Sequence, residues 1–121
     1  MIYPLRHYTF KGVVWYQGES NVERWSEYSS LLGAFIADWR TLFKDETLPF
    51  YIIELADFLA PDDPGRAVWA ELRNQQAKTA RENAHVTLIK NSDTGEWNDI
   101  HPLDKKTAAT RLVEAVIQNE K

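Results

Sequence analysis

Two short polar stretches carry residue types that do chemistry. The first, Gln17-Gly18-Glu19-Ser20-Asn21, follows directly on the apolar run Val13-Val14-Trp15-Tyr16. Gln17 and Asn21 offer side-chain amide donors, and Gly18 lets a ligand approach its backbone N–H. Donors grouped at a strand end are what an oxyanion hole requires. The second stretch, Asn98-Asp99-Ile100-His101-Pro102, sets a His beside a carboxylate. That is the make-up of an oriented general base, in which the carboxylate fixes the imidazole tautomer and stabilises the imidazolium formed on proton uptake.

Each stretch also has a plainer reading. His101 beside Pro102 fits a residue that only caps the last helix. Gly18, Ser20 and Asn21 fit ordinary turn and cap chemistry. Glu19 is harder to reduce to this, because a carboxylate just past a buried strand calls for a partner. Other chemistries lack their signatures. Ser20 is not in a Gly-x-Ser-x-Gly elbow, since Val22 stands at the second Gly position. No phosphate-binding glycine loop occurs. His7, His85 and His101 have no metal-type spacing, and Asp57, Asp62 and Asp63 read as solvated loop carboxylates. No metal or other cofactor is expected.

These stretches need elements to position them. Val13 to Tyr16 reads as a short buried strand, preceded by an irregular lead-in over Met1 to Lys11 with Pro4 against a central strand. Ser20 followed by Glu23 fits a capping box, and a helix is expected from about Val22 to Phe43. Trp25, Tyr28, Leu31, Leu32, Phe35, Ile36, Trp39, Leu42 and Phe43 form its apolar face. Gly33 inside it suggests a close packing contact. Pro49 to Ala56 is the second strand, and Asp57 to Arg66, with Pro61, Pro64 and Gly65, a loop. Ala67 to Glu82 returns to helical spacing, with Val68, Trp69, Leu72, Gln76 and Ala80 inward and Arg73, Lys78 and Arg81 outward. His85 to Lys90 is the third strand and Asn91 to His101 a polar loop. Pro102 opens a last helix whose buried face is Leu103, Ala108, Leu112, Val116 and Ile117.

Strand alternating with helix implies a parallel sheet with right-handed crossovers. In such a sheet the loops after the first and third strands open on one edge, the edge where sites gather. Three strands with three helices is small for a sheet that needs both faces covered. The expectation is therefore one segment, residues 1–121, forming the carboxyl-terminal part of a larger domain.

Composition narrows the function further. With 121 residues, 44% hydrophobic and 26% charged, the chain suits one globular unit. A net charge of −4 argues against a nucleic-acid partner, and no stretch is long and apolar enough to cross a bilayer. The absence of Cys excludes thiol catalysis and disulfides.

The run Gly12-Val-Val-Trp-Tyr-Gln-Gly-Glu-Ser-Asn21, with Asp99-Ile-His-Pro102 far downstream, resembles the sialate O-acetylesterase family of the Ser-Gly-Asn-His hydrolases, relatives of the acetyl xylan esterases. Met1-Ile-Tyr-Pro-Leu5, Asp38-Trp39-Arg40, Pro49-Phe50-Tyr51 and Trp69-Ala-Glu-Leu-Arg73 extend the likeness along the chain. The resemblance implies a three-layer α/β/α sandwich with a flavodoxin-like parallel sheet, here incomplete. It implies hydrolysis of acetyl esters on sugars, with an acetylated carbohydrate as partner and a periplasmic or secreted setting. His101 maps onto the catalytic base and Asp99 onto its orienting acid, with Glu19 the competing acid. Many relatives carry the acid three residues before the His, where this chain has Asn98. Gln17, Gly18 and Asn21 fall in the block that helps form the oxyanion hole or positions the acyl group.

One departure is large. The family's nucleophilic Ser lies in an amino-terminal Gly-Gln-Ser-Asn type block, and none occurs here. Ser20, Ser26, Ser29, Ser30 and Ser92 stand in other contexts. The chain is thus expected to be inactive alone, completed by a missing amino-terminal part or another chain, and its open sheet edge favours a homo-oligomer. The alternative is a non-catalytic carbohydrate-binding or structural domain using Trp15 and Trp97.

Overall fold

In the computed structural model, which describes residues 2–120, the apolar runs pair as three parallel strands. They are β1 (Val13–Trp15), β2 (Phe50–Ile53) and β3 (Val86–Ile89), in spatial order β1-β2-β3. Val13 lies opposite Phe50, and Phe50 opposite Val86, so the strands start level and end at one rim. Three helices connect and follow them: α1 (Trp25–Phe43), α2 (Gly65–Glu82) and α3 (Lys105–Asn119).

Side chains alternate across a strand, and β2 is buried on both faces because each alternate set meets a different layer. Phe50 and Ile52 join Tyr28, Leu32 and Ile36 of α1 and Trp69 and Leu72 of α2 in the main core. Tyr51 and Ile53 turn the other way, onto Ala108, Leu112 and Val116 of α3 with Ile89. The result is an incomplete α/β/α sandwich with two helices on one face and one on the other. Both crossovers step the same way across the sheet with their helices on one face, so they share one hand. Helix α3 touches β2 and β3, whereas Val14 of β1, opposite Tyr51, is left half-exposed. Among the described residues no helix is long and apolar enough to cross a membrane.

Several local expectations change. The lead-in, whose Met1 lies outside the described residues, contains a 3₁₀ turn at Tyr3–Leu5. The helix expected from Val22 starts at Trp25, after a 3₁₀ segment Glu19–Arg24. The capping box does not form, because Gly18 holds the first cap position of that segment and no side chain caps it. Leu31 is exposed despite its place in the periodic pattern. Helix α3 begins at Lys105 rather than Pro102. Its start is fixed by Asp104, whose carboxylate accepts from the Thr107 N–H and hydroxyl at 3.0 and 2.6 Å. Leu103 and Ile117, expected inward, are exposed. His85 lies just before β3 in a left-handed conformation, φ 55°, with its carbonyl accepting the Phe50 N–H at 3.0 Å.

Candidate active site

Because all three strands run parallel, the segments after Trp15, Ile53 and Ile89 leave the sheet on the same edge. The first is the Gln17–Asn21 turn. Its anchor is the Gln17 carbonyl, which accepts from the Tyr28 hydroxyl at 2.7 Å and from Gln76 Nε2 at 3.2 Å. Gln76 is fully buried in α2, and its Oε1 accepts the Leu55 N–H at 2.9 Å. One side-chain amide thus stitches the end of β1 to the end of β2. Burial pushes the Tyr28 phenol pKa up, hydrogen bonds with Trp15 and Gln76 ease it, and the Glu19 charge raises it further.

Within the turn the Gln17 amide nitrogen donates to Asn21 Oδ1 at 2.8 Å, so two expected donors bond one another. The Gly18 N–H donates to Glu19 Oε2 at 2.9 Å, which supplies the partner that this carboxylate needs. Gly18 has φ 159°, and a Cβ there would lie 2.6 Å from Leu72 Cδ2. A Cβ there would press on Leu72 and add strain at this φ, which favours glycine where the chain turns this close to α2. Trp15, Gln17, Asn21, Tyr28, Leu31 and Phe35 line a cavity of about 160 Å³ beside the turn.

The segment after β3 is tied down just as closely. Glu54 Oε2 accepts the N–H groups of Asn91 and Ser92, both at 3.1 Å. Asn91 is fully buried; its Oδ1 accepts from the Thr94 hydroxyl at 2.8 Å, and its Nδ2 donates to the Tyr16 hydroxyl at 3.0 Å. That last bond joins the first loop to the third. Burial pushes the Tyr16 phenol upward in pKa, the Asn91 bond eases it, and the Glu19 charge raises it again. Lys105, at the start of α3, places its ammonium 5.7 Å from the centre of the same ring.

Beyond Thr94 the loop reaches Asp99 and His101. Asp99 Oδ1 accepts the His101 backbone N–H at 2.8 Å and lies 3.8 Å from the imidazole Nδ1. The pair is therefore close, with the ring–carboxylate hydrogen bond not made. The His101 side chain is 86% exposed and that of Asp99 42%. Among the described residues no hydrogen bond or ion pair joins His101 to the Gln17–Asn21 turn, and the two loops connect through Tyr16 and Asn91. No group of three or more His, Cys, Asp or Glu among the described residues could hold a metal ion.

The loop after β2 overturns two expectations. Asp57 is not a solvated carboxylate: Arg73 Nη1 donates to its Oδ1 at 2.8 Å and Arg66 Nη2 pairs with its Oδ2. Arg73, expected outward, is thereby drawn in. Partial burial works to raise the Asp57 pKa, and the two guanidinium partners outweigh it and hold the carboxyl below its ordinary value. Sequence reading missed Tyr16, Asn91, Glu54 and Gln76 as site-building groups. Two of them left a trace: Gln76 stands on the apolar face of its helix, and Glu54 stands inside an apolar strand run.

Fold and rim together define an α/β protein with its polar loops gathered where parallel sheets carry their sites. Residues 3–118 match the model of the carbohydrate esterases described as sialic acid-specific acetylesterases, and the chain belongs to that family. It is 32% identical to the sialate O-acetylesterase of Mus musculus over 132 residues, covering 93% of this chain and 24% of that one. The human sialate O-acetylesterase is likewise 32% identical over 128 residues, with the same coverage of 93% and 24%. The crystal structure of a carbohydrate acetylesterase from Xanthomonas citri superposes with a TM-score of 0.86 at 39% identity, covering 95% of this chain and 27% of that one. The chain spans about a quarter of the length of the curated relatives it matches.

Proposed function

We propose that this chain forms part of an O-acetylesterase acting on acetylated, sialate-type carbohydrates by a Ser-His-Asp mechanism, with the serine supplied from outside residues 1–121. The observation that supports this reading is the Tyr16–Asn91 hydrogen bond, which ties the end of β1, just before the donor-bearing turn, to the start of the loop that carries His101. His101 is the general base. Its 86% exposure suits a group that must meet a hydroxyl from elsewhere. The 3.8 Å approach of Asp99 to Nδ1 supports Asp99 as the orienting acid, whereas Glu19 is engaged by the Gly18 N–H. A closure of under about 1 Å would bring Asp99 into hydrogen-bond range, and catalytic contacts often tighten only with substrate present.

The steps follow from these roles. The imidazole takes the proton of the incoming serine hydroxyl as its oxygen attacks the acetyl carbonyl. The resulting oxyanion is held by amide donors, for which the candidates in this chain are the Gln17 and Asn21 side-chain amides, with the Gly18 N–H joining them once Glu19 releases it. The imidazolium returns its proton to the departing sugar oxygen. Water, deprotonated by the same imidazole, then attacks the acetyl-enzyme, and the imidazolium returns that proton to the serine oxygen as the ester bond breaks and acetate leaves.

Hydrolysis of p-nitrophenyl acetate tests the reading. The chain alone is expected to release acetate at a rate close to buffer. A chimera in which it replaces the matching stretch of the Xanthomonas citri acetylesterase is expected to be active and to lose that activity with His101→Ala. Enzyme-like release by the chain alone, lost on His101→Ala, overturns the external nucleophile. An active chimera indifferent to His101→Ala overturns the role of the imidazole.

A further inference from the structure

The loop that carries Asp99 and His101 is bonded directly to α3 at its start, where Arg111 meets the Lys90 carbonyl and the Asp93 carboxylate; α2 reaches it at second hand. Three residues one turn apart on α2 grip the chain just after β2. Arg66 Nη1 donates to the Leu59 carbonyl at 2.6 Å, Trp69 Nε1 donates to the Ala56 carbonyl at 2.9 Å, and Arg73 Nη1 donates to Asp57 Oδ1 at 2.8 Å. Arg66 also pairs with the second oxygen of Asp57, so each carboxylate oxygen has its own guanidinium.

The gripped segment in turn grips the loop after β3, through backbone alone. The Asp57 N–H donates to the Ser92 carbonyl at 3.1 Å and the Leu59 N–H to the Trp97 carbonyl at 3.0 Å. Between these bonds Gly95 lies flat on Asp57: a Cβ at 95 would fall 1.9 Å from the Asp57 carbonyl oxygen. The contact runs backbone on backbone, so a shift of residues 57–59 passes directly to residues 92–97. Asp99 and His101 follow two and four residues later.

We infer that the Arg66–Asp57–Arg73 ion triad is a positioning device for the loop bearing Asp99 and His101, acting through the Asp57–Ser92 and Leu59–Trp97 backbone bonds. The inference gives these three residues a part in setting the imidazole's place, and it rests on the proposed role of His101 only for its consequence in catalysis. None of the three is a catalytic residue in this account. An ion triad suits the task because carboxylate and guanidinium fix distance and direction together, which apolar packing does not.

Hydrogen exchange and nuclear magnetic resonance of the intact chain test this without any esterase assay. Asp57→Asn and Arg66→Gln are the variants; Arg66 lies toward the surface, so its variant keeps the test open should Asp57→Asn fold poorly. Exchange of the Leu59 amide is expected to speed by about tenfold or more, as for a local opening, while amides inside β2 keep their protection. The His101 ring and Trp97 indole signals are expected to shift. Arg66→Lys, which restores a cation without the planar fork, recovers part of the effect. Uniform loss of protection in loop and sheet alike, or unchanged Leu59 exchange with unmoved His101 signals, overturns the inference. Loop loosening in these variants with no esterase activity in any completed protein would leave the positioning intact and defeat only the functional reading.

Discussion

The Tyr16 phenol accepts a hydrogen bond from the Asn91 side-chain amide at 3.0 Å, across 75 residues of sequence. Asn91 is fully buried and divides its side chain between Tyr16 and Thr94. Replacing it by Ala strands the Tyr16 phenol, leaves the Thr94 hydroxyl only its 2.9 Å bond to the Asn91 carbonyl, and opens a hole. A loss of about 2 kcal/mol is expected in urea unfolding. Tyr16→Phe, which removes only the acceptor, is expected to cost less, about 1 kcal/mol.

The glycines give an ordered series. At Gly95 an added methyl would meet the Asp57 backbone, which has no way to yield, and Gly95→Ala is expected to lose about 3 kcal/mol or more. At Gly18 the methyl meets the tip of Leu72, which can turn aside, while φ 159° adds strain; about 1–3 kcal/mol is expected. Gly33 was expected to mark a close helix contact, but the nearest atoms to a Cβ there are those of Asn83, at 3.9 and 4.0 Å. Gly33→Ala is therefore expected to stabilise by about 1 kcal/mol. Urea midpoints of the three variants check both order and sign.

Acid stability is linked to Asp93. Hydrogen bonds from Arg111, at 2.5 and 2.7 Å, hold this carboxyl at about 2. The folded value lies below the unfolded one, so the pair's contribution is complete above the ordinary Asp value and is lost as pH falls towards 2. Carbon-13 titration of the Asp93 carboxyl is expected to show a midpoint of about 2. Arg111→Gln is expected to move that midpoint up towards about 3.9, and the difference in acid unfolding between the two proteins to vanish at the lowest pH.

The alternation of elements was legible because it rests on local periodicity. Strand positions, the apolar face of α1 and the shared rim all follow from it. What escaped were groups whose partners lie far away in sequence. Arg73 looks like an outward helix cation until Asp57, 16 residues back, folds against it. Asn91 looks like a loop residue until Tyr16 arrives. Helix starts also shifted, since α3 opens after the Asp104 cap rather than at Pro102, and a 3₁₀ segment replaced the first turn of α1. The candidate site residues were recognisable as chemical types and by family resemblance, whereas the network that holds them was not.

The two loops serving one reaction is the central claim, and a double-mutant cycle in the active chimera tests it most directly. Acetyl ester hydrolysis is expected to fall about 10³-fold or more with His101→Ala and about 10²-fold with Asn21→Ala. Since both would act on one transition state, the double variant is expected to lose little beyond His101→Ala alone. Full multiplication of the two losses, or a His101→Ala chimera as active as its parent, would contradict a single shared site.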